Sequence, residues 1–125
     1  MITWLAIALG GAAGALSRFG LMNLVASLLG NRLPWGTLLV NISGSLLIGV
    51  LYVLVSEKML LSADARALLM VGFLGAFTTF STFSLDTMLL IQQGWLLQAI
   101  GYMLTSVMVC VLATWLGMAL ARLLA

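Results

Sequence analysis

Ten residues, Gly75 to Ser84, hold the densest set of polar side chains in this sequence. They read Gly-Ala-Phe-Thr-Thr-Phe-Ser-Thr-Phe-Ser, five hydroxyls and three phenylalanines, inside an apolar run that begins near Ala67 and resumes at Leu85. Hydroxyls that face lipid gain nothing, whereas hydroxyls that face another helix or a water-filled path can be satisfied. Gly72 and Gly75 come just before, and Thr78 and Thr79 are β-branched. Glycine loosens a helix, and a hydroxyl can bond to carbonyls of the preceding turn. The pattern predicts a helix interrupted at about Gly75 to Thr79. At membrane depth such an interruption is tolerated only where it is buried in protein or lines a cavity, which makes it a candidate functional site.

Seven other residues could act on an ion. Arg18 follows Gly10-Gly11-Ala12-Ala13-Gly14-Ala15 within the first apolar run. A charge there must pair, snorkel or face an aqueous vestibule, so Arg18 is either an anion lure or an anchor. Asn41 lies about two turns inside the second run, either as an interhelical hydrogen bond or as an amide donor facing a permeating anion. Asp86 follows the hydroxyl stretch; it is a functional acid or sits near the exit, where water solvates it. Tyr102, Ser106, Cys110 and Thr114 recur every fourth residue and draw one polar stripe along a helix face. Such a stripe can be helix–helix glue or one wall of a polar path, and the thiol of Cys110 extends it only weakly.

These residues must be positioned by membrane-spanning helices. The chain has 125 residues, 64% hydrophobic and 6% charged, whereas a soluble domain carries about a quarter charged residues. The apolar runs do not alternate as barrel strands do. The expected fold is a single all-α integral membrane domain, residues 1–125, with spans at about 3–29, 34–56, 67–92 and 96–124, the third interrupted. The first run lacks a basic flank and exceeds a signal-peptide core, so it is read as a retained span. Gly10 and Gly14 stand in GxxxG spacing, suited to close helix packing. Pro34 suits a helix start, Trp35 and Trp95 suit the interface, and Gly94 a helix stop. With no histidine and one cysteine, no disulfide and no His/Cys metal site can form within the chain. No Ser-His or Cys-His pair exists, which argues against an enzyme, and a net charge of +2 gives no footprint for nucleic acid. Lys58, Arg66 and Arg122 would share one side of the bilayer and Arg32 the other. So small a bias permits insertion in both orientations, and four short spans enclose a pathway poorly alone, so a homodimer is expected.

Taken together these residues resemble the small dual-topology fluoride channels of the Fluc (CrcB) family. The likeness covers nearly the whole chain: Gly10-Gly11-x-x-Gly14 with Arg18, Gly36-Thr37-Leu38-Leu39-Val40-Asn41, and above all Gly72-Phe73-x-Gly75-x-Phe77-Thr78-Thr79-Phe80-Ser81-Thr82-Phe83-Ser84. It implies a passive fluoride channel of the bacterial plasma (inner) membrane that exports fluoride and relieves its toxicity. It further implies an antiparallel homodimer with two pores and a structural sodium ion held by backbone carbonyls of Gly75 and Thr78. Asn41, Phe80, Phe83, Ser81, Thr82, Tyr102, Ser106 and Thr114 would line the fluoride pore, with Arg18 as a vestibule residue. Cys110 stands where the family commonly has a hydroxyl, and Asp86 where it often has glutamate. Phenylalanines three apart share a helix face, and their positive ring edges can hold a small anion without a full charge that would trap it. A small multidrug transporter is the alternative, but those use a glutamate in the first span and no acid precedes Glu57 here. A non-transporting assembly subunit would explain the glycines but not the ordered polar stripe.

Overall fold

The computed structural model describes Met1–Ala125. It is helical throughout, with four segments long and apolar enough to cross a membrane: Ile2–Leu29, Trp35–Glu57, Ala63–Gln92 and Leu96–Leu124. These are called spans one to four. A helix of 28 residues is about 42 Å long, enough to cross a hydrocarbon core of about 30 Å with tilt. Gly30 and Gly94, both with positive φ, end spans one and three. Pro34 stands just before the first helical residue of span two, at the N-cap rather than inside the first turn. Span three starts four residues earlier than the apolar run suggests. Ser62 accepts a hydrogen bond from the Ala65 N–H and caps it, so a polar turn of Ala63–Arg66 extends the helix.

Span three is broken where the hydroxyls begin, but over fewer residues than the glycines imply. Gly75–Phe77 is still helical, and only Thr78 and Thr79 are extended. The backbone at Gly75 is ordinary right-handed helix, so the flexibility of glycine is not what breaks it. The loosening falls earlier, in wide π-helical turns over Ala67–Leu74 that include Gly72. Span two ends in a similar turn, Val53–Glu57.

The spans pack as two close pairs, span one with the first half of span three and span two with span four, while the second half of span three leans on span four. Glycine makes both pairs possible. A Cβ on Gly10 would overlap the Leu68 carbonyl and one on Gly14 the Phe73 carbonyl, while one on Gly72 would meet the Ile7 carbonyl at 2.7 Å. In the other pair, Gly49 faces the Thr114 carbonyl and Gly117 the Leu46 carbonyl, each leaving no room for a Cβ. Between helices in lipid, where apolar burial gives little drive, such backbone proximity supplies the attraction. At the ends, Glu57 and Arg122 form a two-pronged ion pair (2.6 and 3.0 Å), and the Thr3 hydroxyl bonds to Asp64. Only 20 residues are buried, so most apolar side chains face outward, as a chain in contact with lipid or another subunit requires.

Gly14→Val should therefore separate spans one and three, lowering the thermal midpoint of detergent-purified protein by the equivalent of about 3 kcal/mol or more. Gly20, also in span one, has nothing within 4 Å of the place a Cβ would take, so Gly20→Ala should be neutral or stabilise by up to about 1 kcal/mol through helix propensity.

Candidate functional site: a groove at the helix break

The break needs partners because extended backbone at membrane depth leaves amide groups without helical ones. Asn41 supplies them from span two. Its Oδ1 accepts the Thr79 N–H at 2.8 Å and its Nδ2 donates to the Thr79 carbonyl at 3.0 Å. The side chain thus pairs with one residue of backbone as a neighbouring strand would. The two roles considered for Asn41, glue and anion donor, are chemically compatible, because a carboxamide has a second N–H beyond the one bonded to Thr79.

Hydroxyls complete the junction. Thr78 Oγ1 donates back to the Leu74 carbonyl at 2.9 Å, closing the first half-helix. Thr79 caps the second half by accepting the Thr82 N–H at 3.2 Å, and its own hydroxyl donates to Thr82 Oγ1 at 3.0 Å. Thr78 also fits against Gly44 of span two, its methyl occupying the space a Cβ would need. From the other side Arg18 donates through Nε to the Ala76 carbonyl at 3.0 Å, which gives it an anchoring contact. The carbonyls of Gly75 and Thr78 receive no hydrogen bond from within the chain.

Beside this junction runs a groove of about 480 Å³ between spans two, three and four. Asn41, Gly75, Thr78, Phe80, Phe83, Ser106 and Cys110 all contribute to it, and no charged residue does. The rings of Phe80 and Phe83 lie 5.3 Å apart and tilted by 55°, and Phe83 tilts against Tyr102 at 5.1 Å. The Ser106 hydroxyl is buried and has no hydrogen-bond partner in the chain. A buried hydroxyl without a partner carries a cost of about 1–3 kcal/mol unless something else meets it. The groove therefore offers an amide N–H, a hydroxyl and aromatic rings to whatever enters, without a fixed countercharge.

Most of the remaining candidates lie elsewhere. Ser81 and Thr82 do not line the groove: restarting the helix at Phe80 brings Phe80 and Phe83 to the groove face and turns residues 81 and 82 into the cap, where Ser81 Oγ is 3.5 Å from Thr79 Oγ1. The span-four stripe divides by depth. Thr114 donates to the Ser45 and Cys110 carbonyls at the tight crossing beside Gly49. Ser106 and Cys110 reach the groove. Tyr102 donates to Asp86 Oδ2 at 3.2 Å, near the loop end of the bundle. Among the contacts that sequence reading missed are the Asn41–Thr79 pairing and the packing of Arg32 on Trp95. The first had a signal, an amide at the depth of a break; the second joins two separate loops and had none.

A family model described as CrcB-like protein, Camphor Resistance (CrcB), matches residues 5–118. The chain belongs to the CrcB-like family. Among its relatives, a protein of Hahella chejuensis named fluoride-specific ion channel FluC is 50% identical over 118 residues, covering 94% of this chain and 93% of that one. One of the same name from Pseudoalteromonas translucida is 51% identical over 114 residues, 91% of this chain and 95% of the relative. A third, from Methylococcus capsulatus, is 53% identical over 120 residues; there the chain spans about half the relative's length, 53%. The matched residues of this CrcB-like chain include the whole groove, from Asn41 to Val111.

Asn41→Ala removes both bonds to Thr79 and should cost about 1–3 kcal/mol of stability. Asn41→Asp keeps an acceptor for the Thr79 N–H but sets a carboxylate oxygen against the Thr79 carbonyl. Denaturation of the purified variants should place both below the parent; parental stability in both would remove Asn41 from the junction.

Proposed function

We propose that the chain is a fluoride-specific ion channel that lets fluoride leave the bacterial cytoplasm passively and so limits its toxicity. The observation that carries this is the groove itself. It gathers Asn41, Phe80, Phe83 and Ser106 beside a helix break and contains no formal charge. A small anion must be drawn in and released again, and neutral donors with ring edges give attraction without trapping. The names of the relatives supply the ion. A transporter driven by a proton would need an acid on the path. The groove has none, and Asp86 is bonded to Tyr102 outside it.

The working form is read as an antiparallel homodimer with two pores. Phe80 agrees with this: it lines the groove yet is 77% exposed, so the path is open on that side and a second copy would close it. At the dimer centre a sodium ion fits the carbonyls of Gly75 and Thr78. Both lack donors from within the chain, carbonyl oxygen is the ligand a hard cation takes, and no cluster of His, Cys, Asp or Glu competes for it. When bound, the ion would supply positive charge and fixed geometry between subunits. The chain's own share is to fix the backbone on which those carbonyls sit, through the Thr78–Leu74 and Asn41–Thr79 bonds. Tyr102 and Thr114 join this reading as the ends of the span-four track, Ser81 and Thr82 through the cap that aims the phenylalanines, and Arg18 as a vestibule residue anchored on Ala76.

Purified protein in liposomes should release loaded fluoride rapidly and chloride hardly at all, without a proton gradient. Phe83→Ile should lower fluoride efflux about fivefold or more with assembly intact, the loss of an aromatic contact worth ~1 kcal/mol or more. Equal passage of chloride, or flux that requires a proton gradient, would end the fluoride-channel reading.

A methyl at Gly75 has room inside the subunit, its nearest atom being the Met70 carbonyl oxygen at 3.8 Å. Gly75→Ala should therefore keep the helical content yet weaken dimerisation, whereas Thr78→Ser, which keeps the backbone carbonyl and the hydroxyl bond to Leu74 and loses only the methyl seated at Gly44, should keep both helical content and dimer, any loss falling on the stability of the subunit. Replacing sodium by a large organic cation should weaken the dimer reversibly, through loss of a ligand bound only by the assembled form. Cross-linking yields that ignore both changes would remove the central ion and the close approach at Gly75.

A further inference from the structure

A second cavity, about 210 Å³, lies where the loop before span two meets the end of span three. Asn31, Arg32, Thr37, Asp86 and Gln93 line it, so it is far more polar than the groove. The two spaces are near neighbours. Asp86 of this cavity accepts the Tyr102 hydroxyl, Tyr102 packs on Phe83, and Phe83 lines the groove. The Asp86–Tyr102 hydrogen bond and the Phe83–Tyr102 contact thus link a wall of one to a wall of the other.

Two opposite charges face this cavity without neutralising each other. The chain's ion pair joins Arg122 to Glu57, at the other end of spans two and four. Arg32 is held instead by an aromatic face, its guanidinium carbon 5.2 Å from the Trp95 ring centroid. The arginine hydrogen bonds of the chain belong to Arg18 and Arg122, so the N–H donors of Arg32 are uncommitted. Stacking keeps a guanidinium's charge intact and its in-plane donors available. Arg18, the cation deeper in the bundle, is turned to the Ala76 carbonyl.

We propose that Arg32, positioned by Trp95, recruits small inorganic anions at this mouth, and that Asp86 opposes it, so that their balance sets the rate of entry from this end. The inference rests on the fluoride-channel reading. Its physical basis is that charge on the walls of a cleft concentrates counter-ions, and that salt removes the effect as the Debye length falls from about 30 Å at ~10 mM to under about 10 Å above ~100 mM. The competing role for Arg32 is a plain clasp between the loop at residues 30–34 and the turn at Gly94–Trp95, which would be indifferent to salt.

The test is fluoride efflux from liposomes at ~10 mM and ~300 mM ionic strength, for the full-length parent, Arg32→Gln and Arg32→Lys. Arg32→Gln should be about three- to tenfold slower at low salt and within about twofold of the parent at high salt. Arg32→Lys keeps the charge without the guanidinium and should follow the parent's salt profile. An equal loss at both ionic strengths, an equal loss in Arg32→Lys, or no loss in Arg32→Gln would make Arg32 a clasp and overturn the proposal. Should Arg32→Gln fail to assemble, the parent decides: its flux must rise as salt is lowered, and a flat profile overturns the proposal. A parent that passes fluoride while these signatures are missing leaves the channel reading standing; a parent that passes none removes both.

Discussion

The pairing of one carboxamide with one residue of backbone holds this structure in its working shape. Two extended residues in the middle of a membrane span would ordinarily be ruled out by the cost of unpaired amide groups in hydrocarbon. Asn41 meets Thr79 at both its N–H and its carbonyl, and the hydroxyls of Thr78 and Thr79 close the two helix ends on either side. Once the break is satisfied, other features follow from its geometry. The helix restarts at Phe80, so Phe80 and Phe83 face the groove. The first half-helix ends with the Gly75 and Thr78 carbonyls unengaged, and Arg18 steadies it through Ala76.

Helix packing makes that geometry reachable. Asn41 can touch Thr79 only because spans two and three come close where Gly44 accepts the Thr78 methyl. Span two is fixed in turn against span four by the facing notches at Gly49 and Gly117. The polar junction beside the groove and the close glycine packing depend on each other, since the short Asn41 side chain reaches Thr79 only across spans that lie close together.

Much of this was legible in the sequence, and the reasons differ by element. The four spans follow from long apolar runs punctuated by Gly30, Pro34, Gly94 and Trp95, and their limits fall within a few residues of expectation, the early start of span three at Ala63 being the largest shift. That shift was hidden because Ser62 and Asp64 read as loop until a cap is seen to use them. The break was visible as a cluster of hydroxyls, but its position was drawn toward Gly75, because glycine signals permitted flexibility rather than flexibility in use. The stripe of Tyr102, Ser106, Cys110 and Thr114 was correctly placed on one face. Its division among three environments was not visible, since periodicity reports direction around a helix and not what stands opposite at each depth. The stacking of Arg32 on Trp95 joins residues far apart in the chain and has no local mark.

The notch at Gly44 has one more consequence. A threonine methyl seated in a hollow of the neighbouring backbone works as an index pin: it fixes both the height and the rotation of span three at its weakest point. Broken helices in membranes are often thought of as hinges, because unpaired backbone is free to swing. Here the joint is locked by the pin on one side and a two-point amide bond on the other. Piston-like or swivelling motion of the half-helices would have to pull out both at once. The rings of Phe80 and Phe83 are thereby mounted on a fixed frame, and their position does not depend on a bend in span three.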